Sequence, residues 1–251
     1  MKSKLVIGVS GVNGPTIIEK IANVIAPFNQ KINIGFLITQ AILEEKRRAH
    51  KKYVSLNHIG QLVQPHGLIN YIAHYCITKD KEAHQGFILR SDAFFEKGCT
   101  GIQFNSPIWM NKRGIEIVQE RHPGSTLILQ INELLLKEIK YSLNELVTRI
   151  NGYGTSIDGV LLDMSSGKGK ALSFKALRPY AEIIRKDCST KIGIAGGLTS
   201  RKAEEYREFI NAYNIDFIDA EQGLMSSGGR LSAPKVLSYI QAFSPKNPVS
   251  P

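Results

Sequence analysis

The chain has 251 residues, 43% of them hydrophobic and 22% charged, with 32 Lys and Arg against 22 Asp and Glu and a formal net charge of +10. That length holds one α/β domain with a substantial core, and the positive balance favours anionic ligands. The composition excludes a membrane-spanning apolar run, and three widely spaced cysteines (Cys76, Cys99, Cys188) provide neither a disulfide framework nor a Cys-x-x-Cys metal site. Met1-Lys-Ser-Lys4 leads directly into an apolar stretch with no cleavage site. No signal peptide is expected, and a reducing cytoplasm is the expected location.

In chain order, Lys4 to Ser10 reads as a first strand, followed by a Gly11 to Pro15 turn and a helix carrying Ile17, Ile18, Ile21, Val24 and Ile25. Lys31 to Ile38 reads as a second strand. A basic segment, Lys46 to Lys52, follows; its plain reading is a solvated helix face, and it lacks the interleaved aromatics of a nucleic-acid groove. Tyr71 to Ile77 is the third strand and Phe87 to Lys97 a helix. Gly101 to Asn105 is the fourth strand, followed by a helix over Asn111 to Glu120. Thr126 to Ile131 is the fifth, and Leu135, Ile139, Leu143, Leu146, Val147 and Ile150 then line one side of a single helix.

Ile157 to Asp163 is the sixth strand. Its run Val160-Leu161-Leu162 is continuously apolar, as in parallel strands covered on both faces, and it stops at a carboxylate. A helix through Leu177 to Ile184 follows. Lys191 to Ala195 is the seventh strand, with a helix carrying Ala203, Tyr206, Phe209, Ile210 and Tyr213. Asp216 to Asp219 is the eighth, with a last helix around Val236, Leu237 and Ile240. The tail from Ser244 to Pro251 is expected to fray.

Eight strands alternating with helices predict a (β/α)8 TIM barrel over residues 1–243 as one domain. The competitor is a doubly wound open sheet, but no Gly-x-Gly-x-x-Gly turn follows the first strand. In a barrel, chemistry sits where strands end. The polar residues there are Ser10, Gln103, Asn105, Gln130, Asn132, Asp163 and Asp219. Gly196-Gly197 and Gly223 form turns after the last two strands, where backbone N–H groups bind phosphate readily. His74 and Cys76 alternate on the third strand and could join Asp163 around a metal, but the spacing fits a buried barrel wall better. His50, His58, His66, His84 and His122 read as surface residues, and Trp109 as loop packing.

These stretches resemble one family, the phosphoribosylanthranilate isomerases. Asp158-Gly-Val-Leu-Leu-Asp163 with Gly167-Lys-Gly-Lys170 is similar to the family's sixth strand and glycine-rich loop. Ile194-Ala-Gly-Gly-Leu-Thr199 is similar to its seventh-strand phosphate turn. Phe217-Ile-Asp219 through Gly223, then Gly228-Gly-Arg-Leu-Ser-Ala-Pro-Lys235, is similar to the eighth strand and last helix. Gly101 to Asn105 and Ile34 to Leu37 resemble the fourth and second strands. The resemblance implies a barrel that rearranges an aminoaldose phosphate to an aminoketose phosphate without a cofactor or metal.

It further implies Asp163 as general acid and Ser10 at the position of the general base. Lys52, Gln103, Asn105, Asn132 and Asp219 would contact substrate. Gly196, Gly197, Gly223, Lys168 and Lys170 would hold its phosphate. The chain departs from the family where Ser10 replaces a cysteine, Glu221 enters the eighth-strand turn, Lys52 stands for an arginine and Asn105 for a histidine. A serine hydroxyl does not ionise near neutral pH and needs an activating partner. Glu221 would repel a phosphate if it points inward. Three readings follow: the isomerase itself, a related barrel enzyme acting on another phosphorylated or acidic small molecule, and a barrel that binds an anionic ligand or a partner without catalysis.

Overall fold

The computed structural model describes residues 5–78, 86–164 and 173–245. Eight parallel strands close into a barrel in sequence order, with β8 pairing back on β1. They are β1 (Val6–Ser10), β2 (Ile32–Thr39), β3 (Ile69–Cys76), β4 (Gly101–Asn105), β5 (Thr126–Asn132), β6 (Gly159–Asp163), β7 (Lys191–Ala195) and β8 (Phe217–Ala220). Around them lie α1 (Pro15–Ile25), α2 (Gln40–Leu43), α3 (Leu56–Leu62), α4 (Phe87–Glu96), α5 (Lys112–Arg121), α6 (Glu133–Glu138), α7 (Leu143–Gly152), α8 (Phe174–Asp187), α9 (Ala203–Ala212) and α10 (Ala233–Phe243). None of the described helices is long and apolar enough to cross a membrane.

The main core is the layer between the strands' outward side chains and the helices' apolar stripes, including Ile7, Val9, Ile34, Phe104, Ile131, Leu162 and Ile194. A second, small core fills the barrel's interior: Ile128, Leu161, Ala195 and Phe217. Phe217 fits because the strands beside it carry glycine. A methyl group on Gly193 would lie 2.1 Å from the Phe217 ring, and one on Gly159 2.9 Å from it. Gly193→Ala is therefore expected to destabilise the fold by about 1–3 kcal/mol, the usual cost of overpacking. A thermal midpoint equal to wild type would show that the ring can shift.

The single helix predicted after β5 is two. Lys140 and Tyr141 both adopt left-handed backbone (φ 52° and 58°), which ends the first helix. The Ser142 side chain then accepts from the Glu145 amide at 3.3 Å to start α7. Ser142-x-x-Glu145 is a capping-box spacing, a helix-start signal that the apolar periodicity overrode. Strand ends shift by a residue or two from expectation: β3 begins at Ile69 and β6 at Gly159. Ser244 is buried, and its hydroxyl donates to the Ile240 carbonyl at 2.9 Å.

Candidate active site

At the C-terminal ends of the strands the barrel opens into a narrow pit of about 30 Å³, whose described lining includes His74, Gln103, Gln130, Asp163, Asp219 and Glu221. That volume admits a water molecule or two. A larger ligand would place its reacting end here and the rest of its body above.

Beside the pit, two glycines and Ser10 line a smaller cavity of about 10 Å³ that shares Gln103 and Asp219 with it. Gly8 pairs in register with Asp219, and Gly35 with Ser10. A Cβ on Gly8 would lie 2.8 Å from Asp219 Oδ1, and one on Gly35 2.3 Å from Ser10 Oγ. The space they leave holds a buried pair. Ser10 Oγ lies 2.9 Å from both Asp219 oxygens and donates to the carboxylate. Burial pushes Asp219 up to about 7; the Ser10 hydroxyl opposes the shift, and the nearby Glu221 and Asp163 charges add to it. Gly35→Ala should turn the Ser10 hydroxyl away from Asp219 and move the carboxyl's titration midpoint higher still. A carbon-detected NMR titration reads this, and an unmoved midpoint would mean that Ser10 accommodates the methyl in place.

The opposite wall is an amide chain. Gln103 Nε2 lies 3.3 Å from the His74 ring nitrogens and 3.1 Å from Gln130 Oε1. Gln130 Nε2 in turn donates to Asp163 Oδ2 at 2.8 Å. Burial pushes His74 down to about 4, so the imidazole is neutral at pH 7 and accepts from the Gln103 amide. The chain thus pins Asp163 from β3 through β4 and β5.

Asp163 and Asp219 face each other across a small residue. Leu162 pairs with Ile194, and Ala195 pairs with Asp219, so Ala195 stands between the two carboxylates on β7. Two strand spacings put their backbones roughly 10 Å apart at most. That gap suits a small molecule held between two proton-carrying groups.

The rim carries an ion pair. Lys52 arrives from the basic segment, where Tyr53 bridges to Leu37 and the Val54 amide donates to the Leu37 carbonyl at 3.0 Å. Its ammonium pairs with Glu221 Oε1, which also accepts from Gln222 Nε2 at 2.8 Å. The Asn13 side chain donates to the Lys51 carbonyl, fastening the basic segment beside the turn after β1.

The remaining sequence candidates fall into place unevenly. Gly196 and Gly197 adopt positive φ (107° and 62°), and the Tyr206 hydroxyl donates to the Gly197 carbonyl at 3.2 Å. Gly223 packs against that turn; a Cβ there would lie 2.5 Å from the Leu198 carbonyl oxygen. The Asn132 side chain is engaged in structure: Oδ1 accepts from the Leu134 and Leu135 amides, capping α6, and Nδ2 donates to the Ser106 carbonyl at 2.8 Å. Asn105 sits beside it and 3.9 Å from the Cys76 sulfur. Lys168, Lys170 and His84 lie outside the described residues.

His74 and Cys76 do share a face, but no group of three His, Cys, Asp or Glu side chains among the described residues is arranged to hold a metal. Burial pushes the Cys76 thiol up to about 12, so it is protonated. Trp109 packs under Arg149, 5.7 Å from its guanidinium, away from the pit. Sequence reasoning missed that Asp219 is the partner of Ser10 and that Gln130 holds Asp163. The one local signal for the first was glycine inside two strands, which marks close approach.

No protein-family model matches the chain, and no curated relative does. Solved structures do. Phosphoribosyl anthranilate isomerase from Thermotoga maritima is similar at TM-score 0.64 and 13% identity, over 95% of this chain and 98% of that one. TrpF from Jonesia denitrificans is similar at TM-score 0.63 and 17% identity, over 95% and 96%. Triosephosphate isomerase from Bartonella henselae follows at TM-score 0.58 and 9% identity, over 97% and 99%. At such identities the likeness establishes the TIM-barrel fold.

Proposed function

We propose that the pit is the active site of an acid/base isomerase-type enzyme acting on a small phosphorylated or otherwise acidic molecule, with no cofactor. One observation carries this reading: a buried carboxylate, Asp219, held at about 7 and bonded to Ser10 in a strand-end pit. A general base works best when its pKa lies near the working pH, and perturbed carboxylates in clefts are candidates for that role.

In this reading the base is Asp219, and Ser10 is its positioning partner. The hydroxyl of Ser10 has no means of ionising; it donates its proton toward the carboxylate and fixes the carboxylate's orientation. Asp219 removes a proton from the carbon next to a carbonyl or iminium centre. Asp163, across Ala195, supplies a proton to the departing ring oxygen of the sugar. The amide chain from His74 to Gln130 holds Asp163 in place, and the neutral imidazole at its end adds no charge to the pit. The glycine turns after β7 and β8, with Lys168 and Lys170, are the proposed anion cradle.

The structural neighbours support an aminoaldose phosphate as the first substrate to try: two are named as phosphoribosyl anthranilate isomerase or TrpF. Phosphoribosylanthranilate is expected to be converted by wild type, and Asp163→Asn to stop the conversion with the fold retained. Unchanged turnover in that variant would remove Asp163 from the mechanism. Serine rather than an ionisable thiol at position 10 favours a second reading, a barrel that binds an anion without turning it over. Thermal stabilisation by the substrate without product would support it.

A further inference from the structure

The charge around the pit is unbalanced. Its described lining carries three carboxylates, Asp163, Asp219 and Glu221, and no lysine or arginine. Lys52, on the rim, is already engaged by one of them, Glu221. An anion entering this site would meet like charge unless one carboxylate moved or lost its charge. Among the described residues, Lys46, Arg47, Arg48 and Lys51 of the basic segment are exposed and do not line the pit.

The Lys52–Glu221 pair is built for exchange. The two residues are 169 positions apart and join the basic segment to the turn after β8. Both side chains keep some exposure, 20% for Lys52 and 16% for Glu221, so water can enter when they separate. Glu221 follows β8 with a backbone that is neither helical nor extended (φ −133°, ψ −78°), and Gln222 donates to the same oxygen as Lys52. That oxygen therefore receives one ammonium and one amide, the donor set that a carboxylate or phosphate oxygen of a ligand would use. Glu221 lines the pit, so the ammonium of its partner Lys52 sits at the pit's rim.

We propose that Glu221 is an internal stand-in for the ligand's oxyanion: its carboxylate occupies Lys52 and Gln222, and the ligand binds by taking its place. This rests on the reading of the ligand as an anion. The device sets specificity. Only an oxyanion that outcompetes a tethered carboxylate gains the site, and a neutral ligand leaves the pair closed.

The test is titration calorimetry of the full-length chain with inorganic phosphate and, separately, acetate, at constant ionic strength. Wild type should bind weakly. Glu221→Gln keeps the side chain's size and frees Lys52, and it should bind at least one of the two anions roughly tenfold more tightly, the equivalent of about one decade in the dissociation constant. Lys52→Gln should lose that gain, alone and combined with Glu221→Gln. Glu221→Ser serves as a second liberating variant if the glutamine variant does not fold. A preference for phosphate or for acetate identifies the oxyanion. Equal binding by wild type and both Glu221 variants would overturn the stand-in while leaving the anionic ligand in place. Equal gain in the Lys52→Gln background would overturn the role of Lys52. Absence of binding to every variant would overturn both this inference and the anionic-ligand reading beneath it.

Discussion

Turnover of the aminoaldose phosphate should fall by roughly 10²–10⁴-fold when Asp219 is replaced by asparagine, the usual contribution of a general base. The same change should stabilise the fold above pH 7. Asp219 ionises at about 7 in the folded chain but at 3.8 when unperturbed. Between those values the folded state holds a proton that the unfolded state has released. The stabilising contribution is complete below pH 4 and is lost as pH rises through 7. At 1.36 kcal/mol per pH unit the penalty carried by wild type at pH 8 is on the order of 4 kcal/mol as an upper bound.

His74 acts in the opposite sense, with a folded value of about 4 against 6.5 unperturbed. Its contribution is complete above pH 6.5 and is lost as pH falls toward 4. In wild type the two trends oppose each other between pH 4 and 6.5, and stability should vary little there. In Asp219→Asn the His74 trend stands alone, so the thermal midpoint should drop as the pH is lowered across that window. Parallel pH profiles for the two proteins would show that Asp219 is not held in its raised state.

Phe217→Ala should cost about 3–5 kcal/mol, as large-to-small changes at aromatic core sites do. The ring is 6% exposed and fills the barrel's interior against Ile128, Leu161 and Ala195. Gly159 and Gly193 have no side chains to close the gap, and the barrel wall cannot collapse without breaking strand pairs. The thermal midpoint should therefore fall by roughly 10 °C. A loss under about 1 kcal/mol would mean that the cavity fills by relaxation. Paired with Gly193→Leu, the variant should recover part of the loss, because the new side chain enters the space that the ring vacates.

The barrel was legible because its physics is local. Each strand is an apolar run bounded by turn residues, and each helix has a stripe at helical spacing. Asp163 was legible for the same reason: a carboxylate that ends the run Val160-Leu161-Leu162 stands at a strand's mouth end. The glycine turns after β7 and β8 were also local signals, and Gly196 and Gly197 do take the positive φ that such turns need. The split between α6 and α7 was written in Ser142-x-x-Glu145, but an unbroken apolar stripe from Leu135 to Ile150 masked it.

What was not legible depends on closure. Ser10 and Asp219 are 209 positions apart, and they meet because β1 pairs with β8 to seal the barrel. No spacing rule connects them, so Ser10 read as a base with no partner. Lys52 and Glu221 meet by the same closure, and the glutamate that read as a clash in the eighth-strand turn stands in an ion pair. Asn132 misled in the other direction. It stands among the strand-end residues, but its side chain caps the helix that follows.

The most direct test of the account is a carbon-detected NMR titration of the Asp219 carboxyl in the wild-type chain, assigned by its loss in Asp219→Asn. The account predicts a midpoint near 7, and a higher one in Ser10→Ala, where the hydroxyl no longer steadies the ionised form. A midpoint near 4 in wild type, unmoved in Ser10→Ala, would mean an ordinary exposed carboxylate and would contradict the assignment of Asp219 as base.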